Sequence, residues 1–230
     1  AVGNVADGTD VFGIPLLAVG IILMVAGFGF KIAAVPFQGW VPDVYEGSPL
    51  PVTAFLSVAS KAAGFAVIIR VFFTAFESLE VDWALLFAGI AAVSMTIGNL
   101  VAIAQTNVKR MLAYSTIAHA GYMLVGLAAV ASRTTDNVSI GSGTLLFYLG
   151  AYAVTNLAAF FAIMAIMERT RSELIESFAG MSQRAPWLAL ALSIALLSLT
   201  GIPPTVGFMA KLFVFGAAIK ADLAWLVALG

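Results

Sequence analysis

Six stretches of mostly apolar residues, each long enough to cross a lipid bilayer, account for most of this chain. They run over Phe12–Val35, Leu50–Phe76, Trp83–Ala104, Met111–Ala131, Gly143–Met167 and Trp187–Ala217, and a seventh begins near Leu223. A spanning helix needs about 20 such residues. A barrel strand would show alternating segments of about ten, which these runs do not. The joints between runs are short: Glu77–Asp82, Gln105–Arg110, Ser132–Ser142 and, longest, Glu168–Pro186. The sequence therefore predicts an all-α, polytopic transmembrane helix bundle, with residues 1–230 as a single transmembrane domain. Composition excludes the alternatives. Hydrophobic residues make up 62% of the chain and charged residues 10%, against about 25% charged in a typical soluble domain. Mean hydropathy is +1.05. A water-soluble fold could not hide so much apolar surface. The net charge of −1 supplies no basic field for nucleic acid. With no cysteine and one histidine, thiolate and multi-histidine metal sites are excluded. The chain opens without Met and stops a few residues into an apolar run, so it reads as part of a longer protein.

Two of the six runs contain helix breakers. The first continues into VPFQGWVPDVYEGSPLP, with Pro36, Pro42, Pro49 and Pro51, and the break is expected at Pro36. The sixth contains Gly201, Pro203 and Pro204. Proline lacks a backbone donor and clashes with the preceding turn, so the helix is expected to break there. Broken backbone at membrane depth is tolerated where it is buried in protein or lines a cavity. Each broken run also carries a lysine, Lys31 before its break and Lys211 after. That opposite order suits an inverted repeat, the arrangement in which paired broken helices mark a transport site. Asp43 and Glu46 are expected to flank a short helix after the first break, in a structural role.

A third lysine lies deeper. Lys61 stands near the middle of TAFLSVASKAAGFAVIIRVFF, too far from either end to reach the headgroups easily. A mid-membrane lysine costs about 2.5–3.5 kcal/mol on insertion scales, so it is read first as functional. The competing reading is a packing lysine satisfied by a backbone carbonyl. No acidic residue lies well inside any of the runs, so these lysines lack an obvious carboxylate partner in the chain. A lysine can exchange its proton along a buried path, which a permanently charged arginine cannot. His119, inside MLAYSTIAHAGYMLVGLAAVA, is expected to link Lys61 to Lys211. The alternative is a neutral imidazole bonded to a neighbouring helix. Ser115, Thr116 and Tyr122 are near it, as water holders or interhelical hydrogen bonds. Asn99 and Asn156 read as packing amides.

Loop charge sets orientation. Lys109, Arg110, Arg169, Arg171 and Arg184 fall at one end, and Arg70, Arg133 and Lys220 at the other. The positive-inside rule makes the first end cytoplasmic and turns the start of the chain outward. The joint Glu168–Pro186 reads as an interfacial segment.

The stretch FKIAAVPFQGWVPDVYEGSPLPVTAFLSVASKAAG (Phe30–Gly64) closely resembles subunit N of the proton-translocating NADH–quinone oxidoreductase, respiratory complex I. Its counterpart is subunit 2 of the NAD(P)H–quinone oxidoreductase of chloroplasts and cyanobacteria. NVKRMLAYSTIAHAGYMLVG (Asn107–Gly126) and LTGIPPTVGFMAKLFVF (Leu199–Phe215) carry the same resemblance, which extends over nearly the whole chain. It implies the antiporter-like fold with two discontinuous helices, this chain covering about helices seven to thirteen of about fourteen. It implies a non-redox translocase subunit that holds no cofactor, with flavin, iron–sulfur clusters and quinone on other subunits. The implied partners are other membrane subunits, the lipid bilayer and protons. The implied location is the inner (plasma) membrane of a bacterium, or alternatively a thylakoid or other energy-coupling membrane. Lys31, Lys61 and Lys211 match the family's lysines and His119 its histidine. Gln38 stands where the family usually has a titratable histidine, and the family's key glutamate lies on an earlier helix. The family's scheme implies that released Lys31 repels Lys61 and drives its proton toward Lys211. Unit charges about 4 Å apart, at an effective dielectric of about 20, interact by about 4 kcal/mol. A pKa unit corresponds to about 1.4 kcal/mol, so charges brought that close could drive transfer. The alternatives are a subunit of a standalone cation/proton antiporter or membrane-bound hydrogenase, and a structural membrane subunit.

Overall fold

The computed structural model describes residues 13–75, 83–132 and 137–230. The joint Glu77–Asp82, the loop charge Arg133, the opening stretch and Phe12 lie outside the described residues. Among the described residues there is no strand, and one isolated bridge pairs Asn107 with Leu174. Four helices are long and apolar enough to cross a membrane: Leu50–Phe73, Trp83–Ile103, Val108–Ala131 and Ser142–Thr170. Val19–Ile32 and Pro186–Thr200 are shorter apolar helices.

Helix α1 (Gly13–Ile32) ends ahead of Pro36, and the chain turns through Ala33, which takes φ +63°. Trp40 opens the short helix α2 (Trp40–Gly47) and folds back across the break. Its indole N–H donates to the Phe30 carbonyl at 3.1 Å, and the two rings stack at 5.2 Å. The indole thus adds a second donor to a carbonyl in the last turn of α1, which also accepts the Ala33 N–H at 3.2 Å. Val35 N–H donates to the buried Ser94 Oγ at 3.0 Å, so the break is pinned to α5 (Trp83–Ile103).

The second run is not the plain rod that its composition suggests. Helix α3 (Leu50–Phe55) passes into a π-helical stretch at Leu56–Ser60, then into α4 (Lys61–Arg70), and again into a π-helical stretch at Val71–Ala75. π-turns inside helices recur at functional sites. The first of the two stretches ends at Ser60, directly before Lys61.

Helix α6 (Val108–Ala131) is the axis of the bundle and is buried over nearly all of its length. It packs against α2, α5, α7 (Asn137–Thr170) and α10 (Val206–Lys220). Small residues allow the close approach to α5. A Cβ on Gly98 would meet Ala118 N at 2.5 Å, and one on Gly121 would meet Met95 Cγ at 2.6 Å. Asn107 caps α6, its side-chain oxygen accepting from the N–H groups of Lys109 and Arg110 at 2.8 and 3.3 Å.

After α7 the chain forms a short 3₁₀ turn (Ile175–Phe178) and α8 (Met181–Arg184). The sixth run then divides into α9 (Pro186–Thr200) and α10, separated by Gly201–Thr205. Gly201 ends α9 at φ +85°, a left-handed cap that costs glycine little. Thr205 caps α10 through Phe208 N–H. Ala224–Leu229 forms α11, where the seventh apolar run begins.

Candidate functional site

Three side chains on α6, Thr116, His119 and Tyr122, recur every third residue and form one stripe. The lysines approach this stripe from different helices. Lys61, on α4, is 2% exposed, and its Nζ donates to the Thr116 backbone carbonyl. Lys211, on α10, is only partly buried, and its Nζ lies 4.1 Å from the centre of the Tyr122 ring, a cation–π contact. The same ammonium donates to the Thr200 carbonyl at 3.1 Å. Thr200 is the last residue of α9, so the second break supplies a carbonyl that a continuous helix would use for its own backbone.

His119 occupies the middle of the stripe and is 6% exposed. Its Nδ1 is 2.7 Å from the Tyr148 hydroxyl of α7. Its ring lies 5.0 Å from that of Tyr152 and 5.7 Å from that of Tyr122. Tyr152 shares a hydrogen bond of 3.0 Å with Thr116 Oγ1. Asn99 of α5 donates to the Tyr122 hydroxyl at 3.0 Å, and Asn156 of α7 donates to Ser57 Oγ in the π-helical stretch at 2.7 Å. The structure thus brings Lys61, His119 and Lys211 onto one polar line within an apolar bundle. From Thr116 to Tyr122 that line rises about 9 Å along the helix axis.

Lys31 lies elsewhere. It is exposed on α1 and lines a groove of about 410 Å³ with Met24, Gly27, Phe28, Ala63, Gly64 and Val67. A Cβ on Gly64 would come within 3.4 Å of Lys31 Cγ, so Lys31 passes α4 one turn beyond Lys61. Of the break residues, Pro36 is exposed after the left-handed turn of Ala33, and Gly201, Pro203 and Pro204 form the link between α9 and α10. Gly201 stands directly beside the Lys211 side chain, where a Cβ would be 2.9 Å from Lys211 Cδ. Among the described residues none of Lys31, Lys61 and Lys211 forms a salt bridge, and no group of three or more His, Asp or Glu side chains gathers as a metal site.

Tyr148 and Tyr152 are absent from the reading of the sequence. A signal existed. Membrane tyrosines concentrate at the interfaces, whereas these two lie well inside the span Ser142–Thr170 and one helical turn apart.

A second polar cluster was also not foreseen as a unit. Lys109 is 6% exposed and pairs with Glu173 Oε1 at 2.6 Å, donating also to the carbonyls of Glu46 and Ser48 at 2.9 and 3.3 Å. Arg110 pairs with Asp43 at 2.9 Å and Glu46 at 2.6 Å. Asn107 donates to Glu173 Oε2 at 3.0 Å. Burial alone would raise the Glu173 carboxyl, but the hydrogen bonds from Lys109 and Asn107 and the Lys109 charge outweigh it and hold it below the ordinary range. These contacts tie α2, the start of α6 and the segment after α7 together at one end of the bundle. Alternation of the spans places all three joints at that end, but it does not say which charges meet.

Comparison with known proteins gives one consistent result. Residues 6–230 match the sequence model described as NADH:quinone oxidoreductase/Mrp antiporter, transmembrane. The chain is 52% identical over 224 residues to the NADH-quinone oxidoreductase subunit N of Dehalococcoides mccartyi, covering 96% of this chain and 46% of that protein. It superposes on a chain of respiratory complex I from Thermus thermophilus with bound aureothin, with a TM-score of 0.72 and 35% identity, covering 94% of this chain and 45% of the other. A chain of the Mrp complex from Dietzia gives a TM-score of 0.81 at 27% identity, covering 92% of this chain and 38% of that one. The chain therefore spans about half the length of the curated relatives it matches.

Proposed function

The chain belongs to the NADH:quinone oxidoreductase/Mrp antiporter transmembrane family, and on that premise we propose that it carries one proton path of subunit N of a membrane NADH–quinone oxidoreductase. The observation that supports this best is the line from Lys61 through Thr116, His119 and Tyr122 to Lys211, which follows the axial helix and is buried from Lys61 to Tyr122. A carbonyl bond alone would suit a packing lysine at position 61. The histidine one turn along α6 and the tyrosine hydroxyls bonded to the stripe add groups that exchange protons. Such a line is the chemistry a relay needs, and no arginine lies in it.

The proposed sequence starts with a charge change near Lys31, which runs past α4 beside Gly64. It disfavours a second positive charge on Lys61, whose proton moves by way of His119 to Lys211. The two lysines anchor about 9 Å apart along α6. At an effective dielectric of about 20 the repulsion over that distance is about 2 kcal/mol, about half the value at 4 Å. That repulsion disfavours a proton on both Lys61 and Lys211 at once, so the bias toward transfer comes from the charge change near Lys31, and His119 supplies the intermediate stop. Redox chemistry belongs to other subunits in this reading: flavin, iron–sulfur clusters and quinone are held there, and this segment is a non-redox part of the translocase. Its setting is an energy-coupling membrane, such as the plasma membrane of a bacterium, among other membrane subunits.

Lys61→Met in the full-length subunit, assembled in its complex in sealed vesicles, tests the reading. NADH–quinone turnover and proton uptake are recorded together after assembly is verified. Loss of proton uptake is the expected result. Wild-type turnover with wild-type uptake would overturn the relay and leave Lys61 a packing residue.

A further inference from the structure

We infer that Tyr148 is the positioning residue for His119: its hydroxyl oxygen accepts from Nδ1–H and leaves Nε2 as the nitrogen that takes up and releases the proton. The inference rests on the relay reading above and adds a residue and a tautomer to it. Three tyrosine rings surround His119, and the hydroxyls of two have other partners. Tyr152 bonds to Thr116 Oγ1 at 3.0 Å, and Tyr122 accepts from Asn99 at 3.0 Å. The Tyr148 hydroxyl lies 2.7 Å from Nδ1, between side chains that are 2% and 6% exposed. A bond of that length in a water-poor setting fixes the ring plane and occupies one nitrogen.

The proton balance is simple. The neutral ring carries its proton on Nδ1, donated to the Tyr148 oxygen. Uptake at Nε2 gives the imidazolium, and release from Nε2 restores the starting tautomer. The Nδ1–H bond is present in both states, and Tyr148 keeps its own proton throughout. The hydroxyl can accept in this way because its oxygen has free lone pairs. Phenylalanine offers none. The titratable groups that face His119 are Lys61 from α4, Lys211 from α10, Tyr122 from its own helix, and Tyr148 and Tyr152 from α7. Tyr148 is the one among these that hydrogen-bonds the ring among the described residues.

The test uses the full-length subunit in its assembled complex, as Tyr148→Phe, His119→Gln and the double variant. Proton uptake by Tyr148→Phe is expected to fall about tenfold, the fold-change equivalent of one buried hydrogen bond, and its pH profile to shift. The double variant is expected to be no worse than His119→Gln. Losses that multiply in the double variant, or a Tyr148→Phe variant with wild-type uptake and pH profile beside a defective His119→Gln, would overturn the inference and leave the relay standing. Wild-type uptake by His119→Gln would remove the histidine from the path and the inference with it. A second measurement does not depend on how Tyr148→Phe folds. Isotope-edited infrared difference spectra of wild type minus His119→Gln are expected to show the Nδ1–H tautomer, and a neutral ring protonated on Nε2 would overturn the assignment.

Discussion

Replacing Lys109 by methionine removes the centre of the polar cluster that joins three segments at one end of the bundle. The lysine side chain is 8% exposed and makes an ion pair of 2.6 Å with Glu173. It also satisfies the carbonyls of Glu46 and Ser48. Breaking a buried ion pair by removing one partner costs about 3–5 kcal/mol, and an exposed pair is worth about 0.2–1 kcal/mol. Glu173 is 34% exposed and keeps the Asn107 hydrogen bond, so water and an amide relieve part of the loss. The expected destabilisation is therefore intermediate, about 2–3 kcal/mol. Unfolding of the full-length subunit in detergent, for Lys109→Met, Glu173→Gln and both together, isolates the pair by a double-mutant cycle. A coupling of about 1–2 kcal/mol is expected. The sign with pH follows from Glu173. Its carboxyl is held below the ordinary value in the fold, so its contribution is present above the unfolded value and is lost as pH falls through the folded one. That acid-side loss should shrink in Lys109→Met. Additive single effects, or an unchanged acid limb, would refute the account of Lys109 as the cluster's centre.

Other perturbations test the packing. Gly121→Ala would place a Cβ 2.7 Å from the Met95 backbone nitrogen, forcing α5 and α6 apart at a cost of about 1–3 kcal/mol, read as a lowered melting temperature. Ser94→Ala should leave the Val35 N–H without its buried acceptor and cost about 1–3 kcal/mol, with faster hydrogen exchange at Val35 as the local readout. Thr205→Ala should cost about 0.5–2 kcal/mol through loss of the α10 cap, read by the same thermal assay.

The all-helical membrane architecture was legible because it follows from local quantities. A bilayer demands about 20 apolar residues per span and internal satisfaction of every backbone group, and both show in single runs. The breaks were legible for the same reason, since proline and glycine act on their own turn. The depth of Lys61 could be counted from the ends of its run. The motif blocks around Lys31, Lys61, His119 and Lys211 pointed to the family. The π-helical stretch before Lys61 left no such mark, because LSVAS contains neither proline nor glycine.

What the tertiary structure alone decided is which way each helix faces. In a soluble helix one polar face points outward and reveals the core. Here lipid and protein interior are both apolar, so a run such as α6 looks alike on every side although nearly all of it is buried. Only the packing shows Lys61 turned inward to Thr116 and Lys31 left outside, although both sit in apolar runs. It alone brings Tyr148 to His119 and Glu173 to Lys109, contacts between residues 29 and 64 positions apart. The residues and their depth follow from the sequence, and their partners follow from which helix faces meet.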